Sequence, residues 1–91
     1  MSKVVYKHPL PNPGDSFRYY LRLGFQSVHV GLQEGMPTHW FEINPNQRAL
    51  SEIEFICVGT GWTIENDTFW HLGTIIKDEF VWHYYARFIN D

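Results

Sequence analysis

Between Ser16 and Leu23 the side chains alternate. Phe17, Tyr19 and Leu21 fall on one side of an extended chain, and Arg18, Tyr20 and Arg22 on the other. Successive residues of a strand point to opposite faces, so this pattern suits an antiparallel strand with one face buried and one in water. The same period separates Val28, Val30 and Leu32 from Ser27, His29, Gly31 and Gln33, and Ile53, Phe55 and Cys57 from Glu52 and Glu54. No comparable stretch carries apolar residues at helical spacing. The chain is expected to be all-β, a small antiparallel β-sandwich or flattened barrel of six to seven strands.

Turn residues divide the strands. Pro11-Asn12-Pro13-Gly14-Asp15 closes a first strand over 3–10, and Asn44-Pro45-Asn46-Gln47-Arg48 precedes a strand over 50–58. Glu34-Gly35 reads as a two-residue hairpin loop that pairs Gln33 with Met36, which sets Val28 opposite Phe41, His29 opposite Trp40 and Val30 opposite His39. Pro37 lacks a backbone donor, so the returning strand is expected at a sheet edge or with Pro37 outside the ladder. Residues 62–68 read as an irregular connection. Asp78-Glu79 forms the tip of a last hairpin that places Ile76 against Val81, Thr74 against His83 and Gly73 against Tyr84.

With 91 residues, 44% of them hydrophobic, the chain has the material for one small core, and residues 1–91 are taken as a single domain. A net charge of −3 lacks the positive field that coating a nucleic-acid polymer or an anionic membrane requires. The apolar run after Lys3 is only Val4-Val5-Tyr6, too short for an export signal, and nothing approaches a membrane-spanning length. Cys57, the single cysteine, reads as a core residue, which fits a reducing cytoplasm.

Chemistry-bearing residues are sparse. His29, His39, His71 and His83 lie on different strands, with His29 and His39 on opposite faces, so they read as amphipathic filler; neither a metal nor a cofactor is expected. Thr74 and His83 read as a packing pair, and Glu52 and Glu54 as a solvated face; no catalytic residue is assigned. Gly59-Thr60-Gly61-Trp62 stands apart, because paired glycines let backbone amides approach an anion and Trp62 offers a stacking face. It lacks the lysine and following helix of a phosphate loop. Four Trp, five Tyr and seven Phe exceed what one small core hides, so some are expected at an interface or against a ligand.

Several phrases carry a resemblance: Lys7-His8-Pro9-Leu10, Val30-Gly31-Leu32-Gln33-Glu34-Gly35-Met36-Pro37 with Trp40, Val58-Gly59-Thr60-Gly61, His71-Leu72-Gly73-Thr74 and Val81-Trp82-His83. In that order they resemble a small family of uncharacterised proteins encoded by phages and prophages. The family tends to carry His-Pro after Gly-Thr-Gly, where this chain has Trp62-Thr63. The resemblance implies phage origin and a place in the host bacterial cytoplasm, and it supplies no catalytic residue. The expectation is a homo-oligomeric protein that sequesters a small nucleotide immune signal, a cyclic oligonucleotide or an ADP-ribose derivative, without catalysis. Trp40, Trp62 and Trp82 would stack on bases, while Arg18, Arg22, Arg48 and the amides of Gly59, Thr60 and Gly61 would meet phosphates. The alternative is a protein-binding inhibitor or assembly adaptor using an exposed sheet edge or aromatic patch.

Overall fold

A computed structural model describes residues 2–89. Seven strands run β1 (Val4–Pro9), β2 (Ser16–Arg22), β3 (Gln26–Gln33), β4 (Met36–Ile43), β5 (Leu50–Gly59), β6 (Trp70–Lys77) and β7 (Phe80–Phe88), and no helix occurs among the described residues. They form a three-stranded sheet in the order β1-β4-β3 and a four-stranded sheet in the order β2-β5-β7-β6, every ladder antiparallel. The strands form two separate ladders, an arrangement compatible with the expected sandwich, and do not close into a barrel.

Alternation decides which faces meet. Leu21, Ile53, Phe55, Cys57, Ile75, Tyr84 and Ala86 of the larger sheet are buried with Phe41, Ile43 and Leu10 of the smaller sheet and its following turn. Burial pushes the Cys57 thiol pKa up, as suits a core residue and not a nucleophile. On the opposite face Glu54 does not simply meet water. It accepts a hydrogen bond from Arg87 Nε at 2.7 Å, and that guanidinium also lies over the ring of Phe69.

The registers follow the turns with three corrections. Glu34 and Gly35 both have positive φ, 51° and 79°, as a two-residue type I′ loop requires, and Gln33 pairs with Met36. His29 pairs with Trp40 and Val30 with His39 as expected, but the ladder then shifts, so Ser27 and not Val28 stands opposite Phe41. Val28 is the extra residue of this bulge and is exposed. The second correction concerns β4, which is the central strand of its sheet although it contains Pro37. Proline fits because β1 ends at the partner of Thr38, and Pro37 answers that side only with its carbonyl, which accepts from Leu10 N at 3.0 Å. The third is Trp70, expected with Tyr20, Arg22 and Arg87 on an outward strand face, which instead is partly buried against the core and packs on Phe88.

The sheets close on one side where β3 meets β6. A β-carbon added at Gly73 would lie 2.6 Å from Val30 Cβ, so Gly73, expected to lie beneath Tyr84, is also the space into which Val30 of the other sheet fits. Gly73→Ala is expected to cost about 1–3 kcal/mol through overpacking. Val30→Ala in the same chain should recover part of that loss in urea denaturation, whereas strictly additive effects would show that the two sites do not share this space.

Candidate functional site

The Gly59–Trp62 turn lies at the far end of β5, and two surfaces meet there. Gly59 is an inward position of the larger sheet, and Trp62 folds back beneath it; a β-carbon at Gly59 would sit 2.9 Å from the indole. Trp62 N donates to Gly59 O at 3.1 Å, which tightens the turn. The Trp62 ring meets Trp82 edge-on at 5.9 Å, and Trp82 stacks on Phe80 at 5.5 Å with the planes 13° apart. Trp62 is 50% exposed and Phe80 58%, so this aromatic shelf is open to solvent. It borders a groove of about 380 Å³ that includes Thr60 and Glu79. Lys77 pairs with Phe80 across the hairpin and donates to Gly35 O at 3.2 Å, bringing a cation to the same end of the molecule.

On the other side of the turn lies a smaller groove, about 220 Å³, lined by Thr60, Ile64, His83 and Tyr85 among others. Thr60 Oγ1 is 2.8 Å from His83 Nε2, His83 Nδ1 is 3.0 Å from Thr74 Oγ1, and Thr74 Oγ1 is 2.9 Å from His71 Nε2. Thr74 and His83 are therefore hydrogen-bonded neighbours, as their pairing predicts. The chain of four can be polarised in either direction, because each hydroxyl both donates and accepts.

The nine expected ligand contacts divide. Gly59, Thr60, Gly61, Trp62 and Trp82 come together at this turn. Trp40 does not join them; it lies beside His29 on the outer face of the smaller sheet. Arg18 pairs with Glu54 on the outer face of the larger sheet. Arg22 pairs with Leu50 and donates to Gln47 O, and Arg48 lies in the same 44–49 loop. Trp82 is opposite Gly59, at the other end of β5 from Leu50, a separation of roughly 30 Å along the strand. The arginines therefore do not face the shelf, and Lys77 is the cation nearest to it in the register.

A second constellation escapes the reading of the histidines as unrelated filler. His8 and His39 stand opposite each other on β1 and β4, both buried, with His39 0% exposed. His8 Nδ1 donates to the Pro9 carbonyl at 2.8 Å, which leaves Nε2 as the acceptor of a neutral ring. His39 Nδ1 donates to that Nε2 at 2.9 Å, so His39 Nε2 accepts from Ser27 Oγ, also at 2.9 Å. The carbonyl thus orients the whole relay. Phe41 and Phe55 flank both rings. Burial lowers the pKa of His8, and burial with His8 alongside pushes that of His39 down to about 3. His8 sits opposite His39 only once β1 is paired with β4, and Ser27 turns inward only because of the bulge; neither is visible in local spacing. Among the described residues no three His, Cys, Asp or Glu side chains gather as metal donors.

The family model of a domain of unknown function, DUF7352, matches residues 1–90. The chain belongs to that family. No curated protein and no solved structure matches it. No helix among the described residues is long and apolar enough to cross a membrane.

The histidine relay makes this DUF7352 domain acid-sensitive. Above pH 6.5 the histidines are neutral in both folded and unfolded chains, and stability is at its full value. As pH falls below 6.5 the unfolded chain takes up protons that folded His8 and His39 hold off, and the stability each contributes declines as pH falls, for His39 down to its folded pKa near 3. The limiting slope is about 1.4 kcal/mol per pH unit for each such proton. Urea unfolding at pH 7.5, 6 and 5 should show the loss beginning above the carboxylate range, and His39→Leu should flatten it.

Proposed function

We propose that this domain is a binding module that holds a small planar ligand against the Trp62–Phe80–Trp82 shelf. The observation that carries the reading is a row of three large rings, Trp62 against Trp82 and Trp82 against Phe80, with Trp62 and Phe80 open to water at one end of the larger sheet. Exposed aromatic clusters of this kind gain by being covered, and a nucleobase stacked on an aromatic side chain contributes about 1–3 kcal/mol. Thr60 offers a hydroxyl at the rim and Lys77 a cation, while Glu79 opposes a heavily charged ligand close to the rings. The shelf thus suits the base of a nucleotide better than its phosphates. The phage resemblance supports a setting in the infected bacterial cytoplasm, where retaining a nucleotide immune signal would blunt host defence. A second copy of the chain would cover the ligand from its open side.

The adaptor reading has its own observation. Tyr20, Leu23, Leu50 and Phe88 are all exposed, by 66%, 49%, 57% and 44%, around a groove of about 490 Å³ at the opposite end of the molecule. A protein partner would cover this surface and leave the shelf free.

A thermal-shift panel of cyclic oligonucleotides and ADP-ribose derivatives separates the two. A ligand present at 100 times its Kd adds about 2.7 kcal/mol, which for a domain of this size raises Tm by roughly 10–20 °C. Trp62→Ala should remove most of that shift, and the ligand should be recovered intact after denaturation. If no nucleotide moves the wild-type Tm, the shelf is not a nucleotide site.

A further inference from the structure

Ser27 is exposed, yet its hydroxyl donates inward to a histidine that water does not reach. Continuing the alternation of His29–Gln33 back along β3 would turn Ser27 outward; the bulge reverses it and brings Oγ to His39 Nε2. Beyond Ser27 opens a groove of about 410 Å³, walled by Phe25, Trp70, Leu72 and Phe88 and without a lysine, arginine, aspartate or glutamate in its lining. A second bulge, between His71 and Gly73 on β6, forms part of the facing wall. A hydroxyl whose proton already points at an unprotonated imidazole, with that imidazole oriented by a third group, is the arrangement of a base-activated nucleophile.

We propose that Ser27 is a nucleophile toward uncharged apolar esters, with His39 as its base, His8 as the positioning residue and the Phe25–Trp70–Phe88 groove as the acyl site. This site is separate from the aromatic shelf and does not depend on the ligand proposed there. In the acylation step Ser27 Oγ bonds to the ester carbonyl carbon while its proton passes to His39 Nε2. The bond to the leaving oxygen breaks, and the departing alkoxide takes that proton away as an alcohol. Water then adds to the acyl carbon and gives a proton to His39, which returns it to Ser27 Oγ as the acyl–serine bond breaks and the carboxylic acid leaves. Atoms and protons balance without a further reactant. Throughout, His8 Nε2 holds the Nδ1 proton of His39, keeping the lone pair aimed at Ser27. His8 is neutral where a carboxylate would better stabilise a charged His39, so turnover is slow and the acyl-serine accumulates.

The test uses the full chain and p-nitrophenyl butyrate. Nitrophenolate release should show one burst per chain, and intact mass with peptide mapping should place a single butyryl group on Ser27. Ser27→Ala should abolish the burst, and His39→Gln should slow it about 10-fold, a modest factor because burial leaves His39 a weak base. The wild-type burst rate should be flat between about pH 6 and 8, because His39 stays unprotonated there, whereas attack assisted only by hydroxide climbs tenfold per pH unit. His8→Gln, which keeps an acceptor for His39, should retain more of the rate than His8→Phe, a split that packing alone does not produce. Butyrylation confined to lysines, no butyrylation, or a rate that follows hydroxide would overturn the proposal. Should His39→Gln fail to fold, the wild-type pH profile and Ser27→Ala decide it.

Discussion

One carbonyl, that of Pro9, sets the direction of the most buried polar contact in the molecule. By accepting from His8 Nδ1 it leaves each ring nitrogen in the relay a single role, and the last acceptor is aimed at Ser27. Two imidazoles among phenylalanine rings would otherwise be costly, since a buried polar atom without a partner forfeits its hydration. Here no buried side-chain nitrogen or oxygen among the described residues lacks a partner. The smaller sheet thus owes its specific register to a polar chain as much as to its apolar face: slipping β1 by one residue against β4 would part His8 from His39 and turn Lys7 inward.

The larger sheet is organised differently. Its inner row of Ile53, Phe55, Cys57, Tyr84 and Ala86 is continuous, and it runs out only where Gly59 gives way to Trp62. Beyond Gly59 the inner row is continued by the aromatic rings of Trp62, Trp82 and Phe80. The shelf and the Ser27 groove therefore arise from two distinct features, a turn and a bulge.

Strand periodicity and turn chemistry made most of this architecture legible. The loops at Glu34-Gly35 and Asp78-Glu79 predict pairings such as His29 with Trp40 and Gly73 with Tyr84 that the ladders contain. What stayed hidden has a common physical source. Alternation assumes one residue per step, and each bulge breaks that assumption silently; Ser27 and Val28 exchange faces for this reason. The meeting of His8 with His39 spans 31 positions and depends on which strands become neighbours. Chemistry groups the arginines with the tryptophans, but distance along a strand separates Arg22 from Trp82 however well their chemistries match.

The same two bulges bear on how this chain can meet another. Of the four outermost strands, β3 and β6 are interrupted and turned toward one another, while β1 and β2 keep unbroken registers with their neighbours. A strand offered by a peptide or by a sister molecule needs an even row of backbone donors and acceptors to zip along. Among the described edge strands β1 and β2 have the more even registers, and Pro9 at the end of β1 removes one donor there, with Pro11 and Pro13 just beyond it.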